Sequence, residues 1–249
     1  MLNLPRRRRL ATLVASLALL LTAGCAPTHV KPVDSYDGAQ LAKPDLVIVE
    51  NFAVDPSEVK LDSGLRSRLT SLFSKASTQQ QQDETGQKVA SAITESLVAE
   101  IRKMGLDAVA ADDAVPTAGQ QRLRIEGQIV SIDEGNATRR NLIGFGAGRS
   151  GVDVLTQVYY DETGNGRRLV ESFEADAESS RKPGAAVTMG AGGAAGHVAT
   201  SAAASTGLSA YSEMTSADVG AEGKRIGREL AKHLETLFTR QGWITSPSQ

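Results

Sequence analysis

Two stretches of alternation constrain this chain more than any other feature. Leu123, Ile125, Gly127 and Ile129 alternate with Arg124, Glu126 and Gln128, and Val152, Val154, Thr156, Val158 and Tyr160 repeat the pattern. A period of two places apolar side chains on one face and polar ones on the other, as in a half-buried β-strand. The turn-forming cluster Asp161 to Gly166 follows, and the chain returns as a strand over Leu169 to Ala177, so 152–177 reads as a β-hairpin. Leu46 to Val49 is a short apolar run that reads as a buried first strand. Two helical stripes flank this β region. Val89, Ile93, Leu97, Ile101 and Met104 mark a helix from Thr85 onward, capped by Asp83 or Thr85 and stopped by Gly105. Val219, Ile226, Leu230, Leu234 and Leu237/Phe238 mark a second, opened by Thr215 and Asp218 at capping-box spacing and closed by Gly242, with Trp243 able to fold back as a lid. Helices with one apolar stripe need a sheet to cover. The expected fold is α+β: a two-layer sandwich of a small, mostly antiparallel sheet with helices on one face, in the order β-α-β-β-β-α.

Composition agrees with a single folded domain. The 249 residues hold 27 Lys+Arg against 29 Asp+Glu and are 41% hydrophobic, too mixed in charge for a disordered chain and too poor in apolar runs for a multi-span membrane protein. A net charge of −2 supplies no global basic field for nucleic acid, and 4% aromatics supply few stacking platforms. The lone Cys25 excludes an internal disulfide.

The N-terminus is a targeting signal. Arg6 to Arg9 precede an apolar run from Leu10 to Leu21 that is too short to span a bilayer, and Thr22-Ala23-Gly24 lead into Cys25. This resembles the lipobox of bacterial lipoproteins, with its favoured Leu displaced by one place to Leu21. The resemblance implies cleavage before Cys25 and diacylglycerol on its thiol, with palmitate as a fatty acid of such an anchor. Ala26 stands where an Asp would resemble an inner-membrane retention signal, so the implied destination is the outer membrane with the domain in the periplasm. Residues 1–24 carry four Arg and no acid, so the mature chain has 23 basic and 29 acidic residues, net −6. Residues 25–44, with Pro27, Pro32 and Pro44 and no periodicity, read as a tether. The domain then covers 45–243, and 244–249 form a tail. Leu61, Leu65, Leu69 and Leu72/Phe73 recur at helical spacing, as a segment packed on the domain or lying on a membrane surface, and Gln79 to Gln82 read as a loop or helix end.

The glycine-bearing stretches invite a cofactor reading and do not sustain it. Gly146, Gly148 and Gly151 form a G-x-G-x-x-G, but a β-patterned run follows, not the helix whose N-terminus would meet a pyrophosphate. The expectation is a tight, glycine-dependent connection between strands and no cofactor. Arg139, Arg140 and Arg149, with Phe145, make this basic loop a candidate interaction site for an anionic surface. Residues Gly127 to Ser150, with the Gly144-Phe145-Gly146-Ala147-Gly148-Arg149-Ser150 loop, resemble a bacterial lipoprotein family whose domain is of unknown function and has no established catalytic residues. The element order is similar, at fold level only, to periplasmic domains of curli-secretion and penicillin-binding-protein-activator lipoproteins. Between 183 and 210 the chain is mostly Gly, Ala, Ser and Thr, including Gly192-x-x-x-Gly196. A flexible loop, a small-residue association surface and a membrane-inserted segment are the three readings of that run.

Catalytic chemistry is hard to assemble from the remaining residues. His29, His197 and His233 fall in the tether, the Gly/Ala run and the last helix, with no zinc spacing, and Cys25 is consumed by lipid. Asp112-Asp113 and Asp133-Glu134 sit where turn chemistry explains them. The reading is therefore a non-catalytic, lipid-anchored envelope protein that binds or assembles with envelope components or with itself, using neither nucleic acid nor a small-molecule cofactor. The alternatives are an oligomeric pore or secretion accessory, and a hydrolase with an unrecognised site.

Overall fold

A computed structural model describes residues 28–64, 77–115, 117–136, 138–139, 147–162, 166–179 and 203–245, with side chains from 219 onward in the last segment. The strands are β1 (Thr28–Ser35), β2 (Leu46–Val49), β3 (Ala53–Val54), β4 (Val59–Lys60), β5 (Ala108–Ala110), β6 (Arg122–Asp133), β7 (Gly151–Glu162) and β8 (Gly166–Glu178). The helices are α1 (Thr78–Lys103), between β4 and β5, and α2 (Ala203–Arg240). One sheet runs β1-β8-β7-β6-β2-β5, with β3 and β4 continuing along β6 beyond β2.

The α+β architecture follows the hydrophobic pattern. Leu123, Ile125 and Ile129 of β6, and Val152, Val154, Val158 and Tyr160 of β7, turn inward to meet Val89, Ile93, Leu97 and Ile101 of α1 and Ile226, Leu230, Leu234 and Phe238 of α2. The sheet is larger than the sequence suggests and is mixed. β1, β8, β7 and β6 are antiparallel, whereas β2, β3 and β4 run parallel to β6, and β5 parallel to β2. A parallel neighbour needs a long crossover, and α1 supplies it between β2 and β5.

Residues 28–44 of the expected tether are part of the fold. β1 pairs with β8 from Thr28↔Ala177 to Ser35↔Glu171, with a register shift at Pro32/Asp34 that accommodates a proline on an edge strand. Beyond it, Tyr36 N–H donates to Val170 O (2.7 Å), Leu41 N–H to Gln241 Oε1 (2.8 Å) and the Tyr160 hydroxyl to Ala42 O (2.9 Å). Both helices also start earlier than their apolar stripes. Ser77 caps α1, accepting from Gln80 N (3.1 Å) while Gln80 Oε1 accepts from Ser77 N (3.1 Å), so Gln79 to Gln82 form the first turn. α2 begins at Ala203, not at a Thr215 cap, in keeping with the alanine content of 202–210. The stops are as expected: Gly105 (φ 83°) and Gly242 (φ 71°) adopt the left-handed conformation after α1 and α2. Trp243 does fold back, stacking on Tyr160 with ring centroids 6.0 Å apart and donating from Nε1 to Leu41 O (2.9 Å).

α1 and α2 lie side by side and run parallel. Gly223 of α2 sits against Val89 and Ala92, Gly227 against Ile93 and Ser96, and Ser96 Oγ donates to Lys224 O (3.0 Å). Residues Leu61 to Gly64 are not helical, while 65–73 of the amphipathic segment and 183–202 of the Gly/Ala run lie outside the described residues.

Candidate functional site

The connection between β6 and β7 lies at the end of the sheet where β4, the end of β8 and the start of β1 also come together, and this end holds the described part of the glycine loop. Gly135 and Gly148, both at φ 69°, face each other's backbone. A Cβ on Gly135 would lie 2.2 Å from Arg149 O, and one on Gly148 would lie 2.6 Å from Asn136 O. Asn136 N–H donates to Gly148 O (3.0 Å), closing the loop at its base. The loop is thus a glycine-dependent strand connection, and β7 follows it directly from Gly151.

Ser150 ties this loop to the rest of the domain. Its N–H donates to Ser179 Oγ (3.1 Å), its carbonyl accepts from Ser179 N (3.0 Å), and its hydroxyl donates to Glu222 Oε1 of α2 at 2.6 Å. All three residues are buried. Arg225, one turn along α2, has Nη2 3.9 Å from Glu222 Oε1 and donates to Glu178 O (2.8 Å), while the Glu178 carboxylate pairs with Arg149. A buried carboxylate is tolerated only with such partners. Arg149 is therefore committed to an internal ion pair. Arg139 is exposed, and Arg140, Phe145 and Cys25 lie outside the described residues. Glu222 was missed from sequence, although a signal existed: it occupies the apolar stripe between Val219 and Ile226, where a carboxylate requires a buried partner.

The face of the sheet turned away from the helices carries an open groove of about 770 Å³. A row of side chains crosses it in register: His29 on β1, Asp176 on β8, Asp153 on β7 and Ser131 on β6, with Ser131 Oγ donating to Asp153 Oδ2 (2.6 Å). Burial pushes the Asp176 carboxyl above its ordinary range; His29 opposes this, and Asp153, Glu178 and Glu174 add to it. Exposed Val130, at the β6 bulge, and Leu155 supply apolar surface beside the acids. Among the described residues no three of His, Cys, Asp and Glu are placed to hold a metal ion, and no helix is long and apolar enough to cross a membrane. His233 of α2 lies against Phe173 (5.9 Å), which belongs to the core on the helix side of the sheet, and His197 is outside the described residues. Chemically the groove is an open, acidic, partly apolar sheet face.

No curated protein matches the chain. Two crystal forms of the PelC dodecamer from Paraburkholderia phytofirmans, one of them a point variant, are similar at 16% and 17% identity. They cover 65% of this chain and 88% and 89% of theirs, with TM-scores of 0.32 and 0.31. A neuraminyllactose-binding hemagglutinin homolog from Helicobacter pylori is similar at 11% identity over 83% of this chain and 96% of its own, with a TM-score of 0.27. At these scores the superpositions are too loose to carry an argument about this protein. A family model, in contrast, matches residues 47–196, from β2 through the glycine loop and the β7–β8 hairpin. That is more than half of the chain, and the protein belongs to the family described as Domain of unknown function (DUF4410).

Proposed function

We propose that this protein is a non-catalytic envelope lipoprotein, anchored by acyl chains on Cys25 to the outer membrane, whose periplasmic domain binds or assembles with other envelope components. The observation that carries the reading is the ordering at the N-terminus: four arginines, a short apolar run and small residues ending at the only cysteine. The helices α1 and α2 support it, since neither is apolar enough to cross a bilayer and an attached lipid would hold the domain there instead. The non-catalytic part is supported by how the buried titratable groups are used. Glu222 bonds Ser150 at the loop base, and Glu171 accepts from Ser35 Oγ (2.9 Å) and pairs with Arg240 (3.3 Å), both in structural roles. Metabolic labelling with palmitate tests the anchor. Wild type takes up label and Cys25→Ser does not; label retained on Cys25→Ser contradicts the reading. Detergent extraction followed by mass measurement tests self-assembly, which a strictly monomeric species contradicts.

A further inference from the structure

β1 changes what an anchor at Cys25 would do. A 20-residue tether would let the domain roam tens of ångströms from the membrane. Instead the sheet begins at Thr28, where β1 pairs with Ala177 of β8, and Ala177 in turn pairs with Val152 of β7. Only three residue steps separate Cys25 from Thr28, a reach of at most about 11 Å. β1 runs antiparallel to β8, so the chain preceding Thr28 leaves the sheet past Ala177 and Glu178. That is the end holding Ser179, the Gly148–Ser150 loop base and Gly135. From β1 across β8 and β7 to β6 are three inter-strand spacings, about 14 Å, so the loop base lies at the same end of the sheet as the anchor point. The opposite end of the sheet, where Arg122 pairs with Asp161, lies ten residue steps along β7 from Gly151, roughly 35 Å away.

We infer that the glycine-loop end of the domain faces the lipid surface, held toward it by the short connection from Cys25 to β1. The inference rests on the proposed acylation of Cys25 and adds an orientation to it. β1 is fixed firmly enough to transmit that constraint: its pairing spans Thr28 to Ser35, Val30 packs against the core, and Ser35 Oγ bonds the buried Glu171. The end turned to the bilayer includes the ends of β-strands and their connections, with exposed Ser63, whose N–H donates to Gly135 O (3.2 Å), exposed Arg139, and the part of α2 that precedes Glu222. The acidic groove then opens sideways, parallel to the membrane plane, where a partner in the periplasm can reach it.

The test uses the full acylated chain in vesicles of phosphatidylethanolamine and phosphatidylglycerol. With Cys25 blocked by lipid, an introduced cysteine is the only free thiol, so Ser63→Cys at the loop end and Ala118→Cys at the far end can each carry a fluorophore. A nitroxide quencher borne on the lipid headgroups should quench the Ser63→Cys probe at least about threefold more than the Ala118→Cys probe, because the two ends differ in height by roughly 35 Å. Inserting about twelve Gly/Ser residues between Pro27 and Thr28 adds roughly 20 Å of reach and should abolish that difference while the protein still floats with the vesicles. Equal quenching of the two probes on acylated, vesicle-bound protein overturns the orientation and leaves the anchor standing. Protein that carries no acyl group and does not float overturns the anchor, and the orientation with it.

Discussion

Replacing Gly220, Gly223 and Gly227 of α2 one at a time should yield three different outcomes from one chemical change. Gly→Ala within a helix gains about 1 kcal/mol from backbone entropy and propensity, if the methyl has room. At Gly220 the nearest atom to the new Cβ is Lys88 Cε at 3.5 Å, an ordinary contact with a flexible tip. Gly220→Ala should therefore stabilise by close to the full ~1 kcal/mol. At Gly223 the Cβ falls 3.0 Å from Val89 O and 3.4 Å from the Ala92 Cβ, tight enough to cancel most of that gain. At Gly227 it falls 2.7 Å from Ile93 O and 2.8 Å from the Ser96 Cβ, atoms of a helix locked into the core. Overpacking of this kind costs about 1–3 kcal/mol, so Gly227→Ala should be destabilised by up to about 2 kcal/mol net and fall about 1–3 kcal/mol below Gly220→Ala. Urea unfolding followed by the fluorescence of Trp243, the only tryptophan and a buried one, measures all three. If Gly227→Ala is as stable as Gly220→Ala, the close parallel contact of α1 and α2 is wrong.

Other substitutions probe the loop base, the groove and the far end. Ser150→Ala removes the hydroxyl that donates to buried Glu222, and should cost about 1–3 kcal/mol in chemical denaturation, more than Ser63→Ala on the surface. Asp176 has a folded pKa raised above its ordinary 3.8, so it binds its proton more tightly in the fold than unfolded, and its contribution to stability is lost as pH rises through that window. Asp176→Asn should therefore be more stable than wild type at neutral pH, by about 0.5 kcal/mol for a like-charge cross-strand pair at a surface, with the difference vanishing below the ordinary value; parallel denaturant curves at both pH values check this. Trp243→Ala removes a ring packed between Tyr160 and Phe238 and should cost about 3–5 kcal/mol, read by circular dichroism on heating.

Elements whose signal is periodic could be read directly. β6 and β7 alternate because one face meets the helices and the other meets solvent, and Gly105 and Gly242 mark helix ends because a left-handed residue is needed there. β1 escaped because an edge strand with mostly exposed residues carries no alternation, and its Pro32 sits at a register shift that sequence cannot reveal. β3, β4 and β5 are two or three residues long, below the reach of any period. The start of α1 was hidden because Gln79 to Gln82 add nothing to an apolar stripe, although Ser77-x-x-Gln80 spells a capping box. At the glycine loop, the need for φ > 0 was legible in Gly148, whereas its tie to Glu222 depends on a contact across 72 residues. Sequence offers Arg149 as a candidate interaction residue because its partner, Glu178, is brought near only by the pairing of β7 with β8.

The intact mass and N-terminal residue of the processed protein, extracted from membranes, test the account most directly. The account predicts a chain that starts at Cys25 and is heavier than its sequence by the mass of a diacylglyceryl group and its accompanying fatty acid. An unmodified chain beginning at any other residue, recovered from the aqueous fraction, contradicts it.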